Sequence, residues 1–248
     1  MSLPVAVQLY TLRDELEQDF YGTIKKVKEF GYDGVELAGF YGLTVQEIKK
    51  ALDDVGLRAI SAHAPFDQFE NNLQQVIDDY KFLGCEYVAI PWMPTEALPG
   101  GDEWDVTLEK IKSIAKAVTD AGLILIYHNH DFEFVKVNGE YALDVLYNSV
   151  SPELLKAQID TCWVKVAGLD PAEYVKKYSG RVPLVHLKDY NEEGQVPVGA
   201  GVQDIPTLLE ASKTAGVACV IVELDSCESM PPIEAVRLSR EYLRGQGW

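Results

Sequence analysis

Eight short apolar runs, each followed by a longer amphipathic stretch, make a (β/α)8 barrel the fold that this α/β sequence predicts. Two further observations support it. The apolar runs, such as LILIY and VIVEL, are apolar on both faces, as parallel strands covered by helices should be. A glycine stands at the expected stop of five of the amphipathic stretches: Gly31, Gly56, Gly84, Gly122 and Gly216. The 248 residues also match the length of about 250 typical of such a barrel.

Taken in order, the strands are expected at residues 5–10, 33–37, 57–63, 87–91, 123–129, 155–160, 183–188 and 218–224. The helices are expected at 20–30, 44–55, 67–83, 102–121, 142–149, 171–178, 204–214 and 232–243. Thr44 and Glu47 have capping-box spacing, and Pro171 sits near a helix start. Asn138-Gly139 marks a hairpin turn in an excursion after the fifth strand. Helical crossovers require parallel pairing, so the alternative is a doubly wound open sheet. No glycine-rich phosphate loop follows the first strand, which counts against that alternative. With no linker or shift in composition, one domain spanning 1–248 is expected.

The formal net charge is −17. An acidic surface repels phosphate backbones and anionic lipid, so nucleic-acid and membrane binding are not expected. Cys85, Cys162, Cys219 and Cys227 form no CxxC pair, which argues against a thiolate zinc cluster. No run of about 18 apolar residues and no signal-peptide pattern appear, so a cytoplasmic protein is expected. A homo-oligomer is possible.

Barrel sites lie where strands meet the following helices. The polar residues at the expected strand ends are therefore the candidates: Glu36, His63, Trp92, His128, His130, Glu133, Asp160, His186, Lys188 and Glu223. All four histidines of the chain fall there, which scatter would not produce. Asp160, His186 and Glu223 come from three consecutive strands, and neighbouring strands lie about 5 Å apart. Two carboxylates and an imidazole suit a divalent ion: Mn, Co, Zn, Fe or Mg. The alternative is a buried ion-pair cluster, poorly neutralised without a cation.

Several motifs carry a family resemblance: GYDGVEL (31–37), SAHAPF (61–66), YHNHDFEF (127–134), Asp160-Thr161, HLKD (186–189), VGAGVQD (198–204) and VELD (222–225). In this order they make the chain resemble the xylose isomerase-like TIM barrels of the sugar phosphate isomerase/epimerase family. That resemblance implies a metal held by a Glu, an Asp, a His and a Glu from strands five to eight. It assigns Asp160, His186 and Glu223 as ligands. At the fifth strand the family's Glu falls near Tyr127 or His128, leaving His128 or Glu133 for that place. Relatives carry Asp-Thr-Gly-His where this chain has Asp160-Thr161-Cys162-Trp163, and a Glu where it has Ala200.

The expected activity is a metal-dependent sugar isomerase or epimerase acting on a keto-sugar or polyol ketone through an enediolate. Glu133 and Glu223 are the expected acid/base pair. Glu36, His63, Trp92, His130, Trp163 and Lys188 are candidates for substrate contacts. A dehydratase of keto-inositol type on the same site is the runner-up, followed by a non-catalytic sugar-binding barrel. Without a Lys/Arg cluster for phosphate, the small-molecule substrate is expected to be an unphosphorylated sugar or polyol.

Overall fold

The computed structural model describes residues 2–248. Its centre is a closed barrel of eight parallel strands: β1 (Val5–Gln8), β2 (Gly34–Ala38), β3 (Arg58–His63), β4 (Tyr87–Ile90), β5 (Ile124–His128), β6 (Leu155–Asp160), β7 (Leu184–Leu187) and β8 (Cys219–Val222). Each strand pairs with its sequence neighbour, and β1 closes on β8. Closure decides between the two sheet topologies the sequence allowed.

The outer layer comprises α1 (Arg13–Gln18), α2 (Phe20–Phe30), α3 (Val45–Val55), α4 (Phe66–Leu83), α5 (Trp104–Asp120), α6 (Ala142–Ser149), α7 (Thr161–Val166), α8 (Pro171–Lys177), α9 (Ile205–Ala215) and α10 (Pro232–Gly245). In α2 the buried residues Phe20, Thr23, Ile24 and Val27 recur at helical spacing and face the barrel. Thr44 and Glu47 form the expected capping box on α3. Gly31, Gly56, Gly84 and Gly216 end their helices in the left-handed conformation, where a Cβ would be strained. Gly122 acts one residue later: Ala121 caps α5, and Gly122 follows with φ 84. Asn138-Gly139 turns a small hairpin, with both residues at positive φ.

Two short helices were not expected. After Gln8 the chain leaves the sheet, because the Gln8 side chain accepts a hydrogen bond from the Tyr10 N–H. A 3-10 turn and α1 follow. The second, α7, starts on Asp160, whose Oδ1 accepts from the Cys162 and Trp163 N–H groups. This N-cap turns the end of β6 directly into a helix.

Alternation along each strand sorts side chains inside or outside the barrel. The outward set, including Val5, Val7, Val35, Val88 and Leu125, joins the main core under the helices. The inward set forms a separate apolar cluster of Ala6, Tyr87, Ala89, Ile126, Leu184, Cys219 and Ile221. Continuing inward toward the C-terminal strand ends, the same period delivers polar residues: Gln8, Glu36, His63, His128, Gln158, Asp160, His186 and Glu223. No helix among the described residues is long and apolar enough to cross a membrane.

Candidate active site

Register sets the neighbours. Gln8 pairs with Glu36, His128 with Gln158, and Asp160 with His186. Barrel closure then brings Glu36 of β2 across to His186 of β7, 150 positions away.

His186 is the centre of this layer and is fully buried. Its Nδ1 lies 2.6 Å from Glu223 Oε2, and its Nε2 lies 2.6 Å from Glu36 Oε2. Burial alone would lower its pKa, but the two carboxylates overcome that and hold it at about 10. Glu36 is itself fixed on several sides. Gln8 Nε2 donates to Oε2 at 2.8 Å and Gln158 Nε2 to Oε1 at 2.6 Å, while His63 Nε2 lies 3.1 Å from Oε2. Burial works against its charge, yet His63 and His186 hold the carboxyl well below the usual range.

Lys188, two residues beyond His186 and on the same inward face, is also fully buried. Its Nζ lies 3.1 Å from Asp160 Oδ2, 3.0 Å from Glu223 Oε2 and 2.8 Å from Asp225 Oδ2. Three carboxylates outweigh the cost of burial and push its pKa well above the usual lysine value. Burial also opposes the charge on Glu223, which Lys188 and His186 nevertheless keep ionised, with its pKa lowered. Asp160 goes the other way. Its burial exceeds the pull of Lys188 and raises its pKa, and its Oδ2 makes no hydrogen bond among the described residues despite the nearby ammonium.

Asp189 follows Lys188 but points to the opposite face. Its carboxylate accepts from the N–H groups of Gly199, Gly201 and Gln203. A Cβ on Gly201 would lie 2.2 Å from that carboxylate. This close wrap explains Gly201 of VGAGVQD, while Gly199 stands at φ 90 with the Tyr242 ring where a Cβ would lie.

A divalent ion fits these residues in place of the proton that Glu36 and Glu223 hold on His186. One donor atom each from His128, Asp160, His186 and Glu223 lies within 4.8 Å of the others, and all four residues are buried. Asp160 Oδ2 and His128 Nδ1 have no hydrogen-bond partner among the described residues. Burial, followed by the neighbouring His186 and His63, drives the His128 pKa well down, which leaves a neutral imidazole suited to ligation. Glu36 behind His186 has the position of the carboxylate that typically orients a ligating histidine.

Above this layer opens a cavity of about 480 Å3, reached by His63, His128, His130, Glu223, Asp225 and Trp92 among others. The sequence candidates divide accordingly. His63, Trp92 and His130 line the cavity; Glu36, Lys188 and Trp163 do not. Glu36 and Lys188, expected as substrate contacts, are instead found fully buried within the ion-pair network and away from the cavity lining. Trp163 stands behind His130 at 5.9 Å, and Lys188 Nζ lies 5.4 Å from its ring.

Glu133 also departs from expectation. Tyr127 faces outward from β5, and its hydroxyl donates to Glu133 Oε1 at 2.7 Å, while the His130 N–H donates to Oε2 at 2.8 Å. Both oxygens are thus engaged on the outer side of the barrel wall, and Glu133 joins neither the metal-compatible group nor the cavity. Burial raises its carboxyl to about 7, with partial relief from Tyr127 and the His130 N–H. Gln8 and Gln158 were missed. The signal was present, since Gln158 stands two residues before Asp160 and so shares its face.

The model of the xylose isomerase-like TIM barrel family matches residues 24–246, and the chain belongs to that family. An inosose dehydratase from Clostridium botulinum is 25% identical over 197 residues, covering 71% of this chain and 65% of the relative. The chain thus spans just under two thirds of that relative's length. A sugar phosphate isomerase/epimerase structure from Parabacteroides distasonis superposes with a TM-score of 0.86 at 24% identity, covering 98% of this chain and 94% of the other. The IolI protein, solved with a bound zinc atom, gives 0.76 at 14% identity, covering 98% and 97%. Both structures are similar in fold.

Proposed function

We propose that this barrel is a divalent-metal-dependent enzyme that enolises an unphosphorylated keto-sugar or keto-inositol and then expels water. The observation that carries this reading is the buried group of His128, Asp160, His186 and Glu223 beneath an open cavity. A divalent ion held by these four supplies Lewis-acid polarisation of a carbonyl and its neighbouring hydroxyl.

The protein's own groups supply the rest. Glu223, at the cavity floor and ionised, takes the proton from the carbon beside the carbonyl and hands it to the neighbouring β-hydroxyl as the C–O bond breaks, so that water leaves. Lys188 lies beneath the substrate and offsets the negative charge of Asp160, Glu223 and Asp225, so that the carboxylates remain together without water. Glu36 fixes the orientation of His186 and so the direction of its ring nitrogens. His130 lines the cavity, with a pKa lowered to about 4 by burial and then by Lys188, and remains a neutral hydrogen-bonding group for a hydroxyl.

Epimerisation or isomerisation shares the first half of this sequence. It calls for a second acid/base group to return the proton elsewhere, and Glu133, the expected candidate, faces away from the cavity. The 25% identical relatives named inosose dehydratase support water loss as the first reading.

The test is to load the protein with Mn²⁺ or Co²⁺ in deuterated water and add keto-inositols and ketoses. Metal-dependent deuterium uptake with a product lighter by one water is expected, and neither should occur in Asp160→Asn. Deuterium uptake without loss of water would replace dehydration by epimerisation. Absence of exchange with every ketone would reject enolisation.

A further inference from the structure

The rim of the barrel carries a feature that a single ring does not use. Trp92 follows β4 and is 51% exposed. Together with Pro65 and Pro91 it lines two cavities. One, of about 480 Å3, leads to Glu223. The other, of about 450 Å3, lies beside the first turns of α4 and α5. Each exceeds the roughly 300 Å3 at which small-molecule pockets begin.

The second cavity has a definite chemistry. Phe66 and Trp92 give it aromatic walls, while Asp67, Glu70 and Glu103 bring carboxylates to it. Its one lining cation, Lys110, is paired with Glu70 at 2.5 Å. Asp67 and Glu103 stand at the N-terminal ends of α4 and α5, where they offset the positive potential of those helix ends. Such a surface disfavours a phosphate. It favours a neutral ring that lays a C–H face on an aromatic and donates hydroxyls to carboxylates.

We propose that the second cavity is a subsite for a neutral sugar ring joined to the ring that reacts, with Trp92 as the wall common to both. The substrate class is then a two-ring keto-glycoside rather than a free monosaccharide or a sugar phosphate. This inference rests on reading the first cavity as the reacting-ring site.

Isothermal calorimetry on the Mn²⁺-loaded full chain tests it with named probes. These are glucose and myo-inositol as single rings, cellobiose, maltose and galactinol as double rings, and glucose 6-phosphate. At least one double ring should bind at least about tenfold tighter than its single-ring counterpart, a difference of about 1.4 kcal/mol. The double variant Asp67→Ala/Glu103→Ala, which changes two exposed side chains, should remove that advantage. Trp92→Ala should weaken single and double rings alike. Equal affinity for one and two rings would overturn the subsite while leaving the proposed function intact. Tighter binding of glucose 6-phosphate than of glucose would overturn the neutral class. Failure of every ring to bind would remove the basis of both readings.

Discussion

Two layers of the barrel interior, built from the same strands a few residues apart, differ completely in chemistry. The lower layer is apolar: Ala6, Ala89, Ile126 and Ile221 fill it, with Leu184 and Cys219 beneath. The upper layer contains Gln8, Glu36, Gln158, Asp160, His186 and Lys188, each fully buried. The lower layer gains from leaving water and needs no partners. The upper layer is stable only as a set, since each buried charge depends on the next. Packing therefore places the function, and ion pairing keeps it in place.

Asp160→Asn should show the greatest contrast between the layers. The amide still caps α7, but one ligand charge is gone. Metal affinity, read by equilibrium dialysis and mass spectrometry, should fall more than about 1000-fold, or about 4 kcal/mol, with the fold retained. Retained metal would mean the upper layer is an ion-pair core only. Ile126→Ala is the mirror experiment. It should cost about 3 kcal/mol in urea unfolding, within the range for buried large-to-small changes. Metal bound per folded molecule should not change; if it does, the two layers are coupled.

Glu133→Gln tests the placement of that carboxyl outside the barrel interior. Its pKa is raised from 4.5 to about 7, so the folded protein keeps a proton that the unfolded chain releases. Its contribution to stability is fully present below 4.5 and is lost as pH rises through 7. Relative to the parent, the variant should gain about 2–3 kcal/mol between about pH 4 and about pH 8. Parallel stability curves would contradict that environment. The smallest effect is expected for Glu36→Gln, which leaves the ligands in place and loosens His186. Metal affinity should fall about 10- to 100-fold, with a shifted visible band in the Co²⁺ form. An unchanged band would reduce Glu36 to a structural ion pair.

Much of this was legible in the sequence because it is local. The helix-ending glycines, the Thr44–Glu47 box and the Asn138-Gly139 turn act within a few residues. The four histidines also gather at the strand ends: His63, His128 and His186 form one compact group, and His130 meets His128 edge-on at 5.1 Å. What failed to read out concerned direction. Lys188 and Asp189 are adjacent, so alternation sends one into the charge cluster and the other out to the glycine loop. Glu133 lies within a 3-10 turn, Phe132–Phe134, that returns it to the outward-facing Tyr127, a path that spacing does not reveal.

By itself the sequence determined the order of the eight strands and their principal helices, the inward period of two, and the candidates Asp160, His186 and Glu223, while leaving the fifth-strand place open between His128 and Glu133. These follow from side-chain chemistry and short-range backbone geometry. Only the tertiary structure decided which polar residues meet. Closing β1 onto β8 carries Glu36 across the barrel to His186, a contact 150 positions apart in the chain. The physical reason is that a closed sheet points the inward residues of all its strands at one axis, whereas sequence patterns specify each strand alone.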